Sequence, residues 1–126
     1  MNRRLTAIVA LIVGFALGAA AVEAVRAHAK PLAYTIAEVE VTDQATYQEY
    51  QKGAAVQIPV AGGRFIARGG RTFVISGPPP KRAVVLQWES FENAQAFFES
   101  EAYRRPVPTR DKSSNFRAFV IEGVAH

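Results

Sequence analysis

The chain has 126 residues, 15 basic and 11 acidic side chains, and no cysteine. That length suits one small domain, and the missing cysteines exclude disulfide staples, thiol catalysis and thiolate metal or iron–sulfur sites. The only histidines are His28 and His126. A Ser-His-Asp triad, a histidine-ligated haem or a histidine-rich zinc site would have to use the last residue, so neither metal nor cofactor is expected.

In chain order, Asn2-Arg3-Arg4 makes a positive start, and Leu5 to Val22 is apolar apart from Thr6. Ala27-His28-Ala29 is an A-x-A site of the kind signal peptidase cuts. Residues 1–29 are therefore expected to be a signal peptide and residues 30–126 a single exported domain, periplasmic or secreted. The competing expectation is an uncleaved membrane anchor, because the run approaches the ~18 apolar residues of a spanning-helix candidate. That alternative also leaves the domain outside the cytoplasm, and this segment would be its only membrane contact. Residues 1–29 carry Arg3, Arg4 and Arg26 against Glu23, half of the net charge of +4. The domain itself is only mildly basic, and a nucleic-acid partner loses its electrostatic support.

Lys30-Pro31-Leu32 reads as a linker. Ala33 to Val41 alternates, with Ala33, Thr35, Ala37, Val39 and Val41 on one side and Tyr34, Ile36, Glu38 and Glu40 on the other, as in a half-buried strand. Thr42-Asp43 can cap a helix, on which Tyr47, Tyr50 and Ala54 share a face. Gly53 and Pro59 are expected to bend or break it before Gly62-Gly63 ends it, since glycine is the usual residue just past a helix terminus. Arg64 to Arg68 and Arg71 to Ser76 are strand-like runs joined by Gly69-Gly70, which predicts a hairpin with a primed turn. The alternative, a phosphate cradle helped by Arg64, Arg68 and Arg71, is weakened because phosphate loops normally open a helix. Gly77-Pro78-Pro79-Pro80-Lys81 predicts a stiff connector, and Arg82 to Trp88 a further strand apolar on both faces. Ser90 caps a helix striped with Phe91, Ala94, Phe97 and Phe98. Ser100 to Tyr103 starts another helical turn, Arg104 to Pro108 interrupts it, residues 109–114 are polar, and Phe116 to Glu122 is the last strand.

The order reads β-α-β-β-α-β, the ferredoxin-like arrangement, an α+β fold with an antiparallel sheet and helices on one face. The other face, expected to carry Tyr34, Ile36 and Trp88, needs a cover, which predicts a homodimer.

Several short patterns carry a family resemblance. They are Tyr34; D-x-x-x-Y-x-x-Y through Asp43, Tyr47 and Tyr50; G-G-R-F-I-A-R-G-G from Gly62 to Gly70; R-x-V-V from Arg82; Ser90 with Ala94; S-x-x-Y from Ser100 to Tyr103; Arg110; and V-x-E-G around Glu122-Gly123. On these residues the chain resembles the domain of unknown function 1330 family of the dimeric α/β-barrel superfamily. The resemblance implies a dimeric α/β barrel paired sheet to sheet, with a cleft between sheet and helices in each domain. It supplies no reaction. The family often has an acidic residue at Gln87, Phe-Pro at Trp88-Glu89 and proline at Glu101, where this chain departs from it.

Candidate ligand-binding residues are Tyr47, Tyr50, Arg64, Trp88 and Glu38. Tyrosine can donate a hydrogen bond or a proton, Arg64 can clamp a carboxylate with its forked donors, and Trp88 can stack on a planar ligand. Core packing of the tyrosines, and pairing of Glu38 and Glu40 with Arg64 and Arg68 across the sheet, compete with those roles. Three readings follow: an exported dimer binding a small aromatic or acidic molecule; a cofactor-free isomerase or monooxygenase, by fold analogy; and a structural module without ligand.

Overall fold

A computed structural model describes residues 30–125. The expected signal peptide or anchor, with His28, and the terminal His126 lie outside the described residues. Among the described residues no helix is long and apolar enough to cross a membrane.

β1 (Ala33–Val41) keeps the alternation of its sequence. Ala33, Thr35, Ala37 and Val39 are buried, whereas Glu38 and Glu40 are exposed. α1 (Gln44–Val60) starts at Asp43, whose carboxylate accepts from the Thr46 backbone N–H at 3.2 Å and from the Thr46 hydroxyl at 2.7 Å. These bonds satisfy an otherwise orphaned helix donor, and the hydroxyl contact does most to lower the carboxyl pKa.

The helix runs through both expected breakers. Gly53 lies mid-helix between the buried Tyr50 and Ile58, which anchor the segment, and Pro59 lies one residue from the end, where little beyond its own missing donor is lost. The terminus is then closed by backbone geometry. Gly62 has φ +91°, its N–H donates to the Pro59 carbonyl at 3.0 Å, and the Gly63 N–H donates to the Ile58 carbonyl at 2.9 Å. That pair of bonds is a Schellman motif, and its left-handed residue favours glycine.

The predicted second hairpin strand is corrected by the structure. β2 (Arg64–Arg68) pairs antiparallel with β3 (Arg82–Trp88), and residues 71–76 form no strand. A primed turn of the asparagine-glycine type needs positive φ at both central residues; Gly69 has φ +65° and Gly70 does not. The Gly69 N–H instead donates to the Ala83 carbonyl at 2.9 Å, continuing the β2–β3 ladder. β3 lies between two neighbours, β2 and β1, whereas the 71–76 run had only the outer edge of β2 available.

α2 (Phe91–Glu99) begins at Ser90, whose hydroxyl accepts from the Asn93 N–H at 3.1 Å. α3 (Glu101–Arg104) is capped by Ser100. The polar stretch expected at 109–114 is mostly helical, in α4 (Val107–Ser113); Pro106 and Pro108 lie at its start, where a missing N–H costs least. β4 (Ser114–Glu122) completes a sheet of order β2-β3-β1-β4, antiparallel throughout. The fold is α+β and ferredoxin-like, with the helices on one face.

Trp88 lies on that helix face, not on the open one. Its cross-strand partner is the buried Ala33, and it is 1% exposed. Its indole Nε1 donates to Thr35 Oγ1 at 2.9 Å, and its ring meets Phe97 and Phe98 at centroid distances of 5.2 and 5.6 Å. Gly63 lies against the far edge of this ring: a Cβ there would come within 2.8 Å of Trp88 Cη2 and of Ile58 Cγ2. Overpacking of this kind costs about 1–3 kcal/mol. Gly63→Ala should therefore lower the urea midpoint by a corresponding amount with an unchanged m-value; an unaltered midpoint would mean that the indole can shift freely.

Candidate ligand-binding cleft

Two cavities lie between the sheet and the helices. The inner one, about 70 Å³, sits under α1 and is walled by Tyr47, Tyr50, Ala54, Phe65, Arg68 and Arg82. A bulge between Phe65 and Ala67 lets both Phe65 and Arg68 border it, with the Arg68 guanidinium 4.3 Å from the Phe65 ring centroid. The outer one, about 540 Å³, lies along β4 and is bordered by Phe91, Gln95, Phe98, Tyr103, Arg110 and Phe116. Thr35, Phe98, Tyr103 and Phe116 border both, so a single layer of side chains divides them.

The outer cleft exists because the helices leave the middle of β4 bare. Ala118 pairs with the buried Ala37 on the helix side, yet it is exposed.

Arg110, in the last turn of α4, borders this cleft. Its side chain is only 11% exposed and its Nη2 lies 2.9 Å from Asp111 Oδ1. Nε donates to the same oxygen at 3.0 Å, and Nη1 donates to the Tyr103 hydroxyl. The guanidinium lies 4.0 Å from the Phe116 ring centroid, within cation–π range. Burial works against this charge, but Tyr103, Asp111 and Tyr50 outweigh it and push the pKa up, so the cation persists. A fixed planar cation among aromatic rings suits a flat ligand carrying a carboxylate.

The sequence-predicted residues divide into three places. Tyr47 and Tyr50 come together on the inner cavity, with ring centroids 5.5 Å apart. Trp88 is sealed in the core. Arg64 and Glu38 lie on the open sheet face, Arg64 opposite Gln87 and Glu38 between Ala83 and Arg117. Glu40 does not pair with Arg64 or Arg68; it lies 3.5 Å from Lys81 Nζ and accepts from Asn115 at 3.2 Å, which together lower its pKa, Asn115 most. Arg110 and Tyr103 matched the family pattern but carried no role in the sequence. Their separation in sequence, α3 to α4 across Pro106, gives no periodicity that would join them. Among the described residues no three His, Cys, Asp or Glu side chains are placed to hold a metal ion.

Burial raises the pKa of Tyr50 strongly, reinforced by Tyr103 and partly offset by Arg110. Tyr47 is raised too, again mainly by burial. In the unfolded chain these phenols ionise near pH ~10. A raised folded pKa means that the tyrosine's contribution to stability is intact below about pH 10 and lost as pH climbs towards the folded value. The slope is about 1.4 kcal/mol per pH unit for each such group. Tyr50→Phe should flatten the alkaline fall of stability, measured by urea unfolding across pH, and should remove one late tyrosinate absorbance change. An alkaline limb identical to that of the parent would contradict the buried, neutral phenol.

A family model described as Domain of unknown function (DUF1330) matches residues 32–124. Among curated proteins none matches. Solved structures similar in fold include a protein of unknown function from Rhodopseudomonas palustris, at TM-score 0.61 and 13% identity over 75% of this chain and 84% of that one. Another is SnoaB, a cofactor-independent oxygenase from Streptomyces nogalater, at TM-score 0.53 and 9% identity over 76% and 96%. A third, from Thermobifida fusca, is described as a dimeric ferredoxin-like protein of unknown function, at TM-score 0.51 and 13% identity over 75% and 92%. At these identities the likeness is one of fold, whereas the family match spans the whole ferredoxin-like body: the chain belongs to the DUF1330 family.

Proposed function

We propose that this protein is an exported homodimer that binds a small planar aromatic acid in the outer cleft. The observation that carries this reading is Arg110, a cation with an 11% exposed side chain bordering an aromatic-lined space of about 540 Å³. Arg110 meets the ligand carboxylate, Tyr103 shares the anion, and Phe91, Phe98 and Phe116 stack on or flank the ring. Tyr47 and Tyr50 form the inner wall that a longer ligand reaches if the dividing side chains turn aside.

The open face supports the dimer. Tyr34, Ile36 and Val85 lie beside Phe119 and Ile121, the last two 46% and 52% exposed, an apolar surface of the kind a second subunit covers. Arg64 and Glu38 lie on this face and contribute to the interface, and the similar T. fusca protein is itself described as dimeric. Export is supported by the pattern of residues 1–29.

Cofactor-free oxygenation is the second reading, motivated by the fold shared with the S. nogalater oxygenase. The raised pKa of Tyr50 argues against that side chain as a base near neutral pH, so binding is preferred to turnover.

Salicylate is a suitable probe, followed by calorimetric titration of the full chain. Arg110→Ala should weaken it at least tenfold, about 1.4 kcal/mol, with Arg110→Lys in between because the fork is lost. Arg64→Ala should leave affinity unchanged. Equal affinity in the parent and Arg110→Ala, with both folded by circular dichroism, would remove Arg110 from the site, and loss of binding in Arg64→Ala alone would move the site to the open face. Oxygen consumption with a dihydroxylated aromatic substrate would favour the second reading.

A further inference from the structure

The inner cavity brings together two cations from neighbouring strands. Arg68 of β2 pairs with Val84 of β3, and Arg82 stands two residues before Val84 on the same strand. Side chains alternate between faces along a strand. The two arginines are therefore diagonal neighbours on the helix face, about 7 Å apart at the backbone. Arg82 also pairs with the buried Val39 on β1, which fixes the same face. Its side chain lies across β2, since a Cβ on Gly69 would come within 3.2 Å of the Arg82 Nε. Both arginines border the cavity.

Neither cation is neutralised by the chain. Residues 50–88 contain no acidic side chain, and Glu38 and Glu40 lie on the other face of β1. Among the described residues neither arginine forms an ion pair. Arg68 is held instead against the Phe65 ring, 4.3 Å from its centroid. Like charges at neighbouring sheet positions repel, and an anion bound between them relieves that repulsion.

A third polar group borders the same space. Tyr47 is 5% exposed, yet its hydroxyl makes no hydrogen bond among the described residues. That oxygen is not sealed, because no enclosed side-chain polar atom among the described residues lacks a partner. Tyr47 walls the cavity, which is where its hydroxyl can find an acceptor. Burial keeps the phenol protonated, against the pull of Arg82, Arg110 and Arg68, so it is available as a donor.

Behind these groups the wall is hydrocarbon, with Ala54, Ile58, Phe65, Val84 and Leu86. Arg68 and Arg82 are exposed, whereas Ile58 and Leu86 are buried, so the charge lies at the mouth and the apolar surface inside. A volume of about 70 Å³ is roughly five times what a single water needs, which suits a chain of a few carbons. A phosphate would press oxygens against carbon at a desolvation cost, whereas a carboxylate carries its oxygens at one end only.

We infer that the inner cavity binds a short aliphatic monocarboxylate, its oxygens at Arg68, Arg82 and the Tyr47 hydroxyl and its chain towards Leu86 and Ile58. Two guanidinium forks at one carboxylate supply the charge-assisted bonds that fix it. The G-G-R-F-I-A-R-G-G block thus contributes to an anion site through its strand, by Arg68, and not through its glycines. The site is separate from the outer cleft, whose cation, Arg110, is already engaged by Asp111.

The test is a calorimetric titration of the full chain with butyrate. The expected result is saturable binding about tenfold tighter than that of acetate, because two more methylenes are buried. Arg68→Gln and Arg82→Gln should each weaken butyrate about tenfold, Tyr47→Phe about fivefold, and Arg71→Gln not at all. Both arginines are exposed, so these variants should keep the parent's circular dichroism and thermal midpoint. No saturable heat with butyrate overturns the site. Binding that survives both arginine substitutions also overturns it, by placing the acid elsewhere. Equal affinity for acetate and butyrate removes the apolar interior from the site, and tighter binding of inorganic phosphate overturns the aliphatic ligand. Salicylate binding at Arg110 is read by its own titration, so failure of either site is seen apart from the other.

Discussion

The packing of one indole organises the domain. Trp88 closes β3, and its ring is enclosed by the end of α1, by Phe97 and Phe98 of α2 and by β1 through Thr35. A large aromatic side chain buries more apolar area than any other residue type, and its single donor must find an acceptor when buried. Thr35 supplies that acceptor from the neighbouring strand. Gly63 allows the close approach, and the Schellman turn at Gly62-Gly63 directs the chain from α1 into β2 at that same place. Helix termination, strand entry and core packing are thus one event, which ties the G-G-R-F stretch to Trp88 although 24 residues lie between Gly63 and Trp88.

The cleft follows from where this packing is concentrated. α2 is drawn onto Trp88 yet leaves the helix side of β4 open at Ala118, and the short helices α3 and α4 close only one end of the gap. Arg110 is delivered there by α4 and held between Phe116, Tyr103 and Asp111. A buried guanidinium needs compensation, and Asp111, still largely exposed at 57%, supplies it at the solvent side. The guanidinium is thereby held in place at the border of the cavity.

The charge distribution divides the domain in the same way. Residues 50–88 carry basic side chains and no acidic one, whereas residues 89–125 mix six acids with five bases. Such asymmetry has little bearing on the fold, but it orients association. The apolar residues of the open face are of the kind a second subunit covers.

Much of the fold was legible in the sequence because the signals were local. The period-two pattern of β1, the Asp43 and Ser90 caps, the glycines after α1 and the aromatic stripe of α2 each act within a few residues, and all appear as expected. The Arg71 to Ser76 run failed as a strand because β propensity describes a segment, whereas pairing depends on which edges are free, and β3 had taken the inner place. The face of Trp88 was misread for a related reason: its orientation is set by register with Ala33, more than fifty residues away in sequence. The candidate site divided along the same line. Tyr47 and Tyr50 share one turn of helix and stayed together, whereas Arg64, Glu38 and Trp88 were scattered by the sheet. The pairing of Arg110 with Tyr103 arose only when α3 and α4 folded back against β4. By itself the sequence determined the elements, their caps and the apolar faces, since these depend on backbone sterics and side-chain periodicity. Only the tertiary structure decided which strands pair, where the helices leave the sheet bare and which cation is enclosed there, since these depend on contacts between residues that the chain holds far apart.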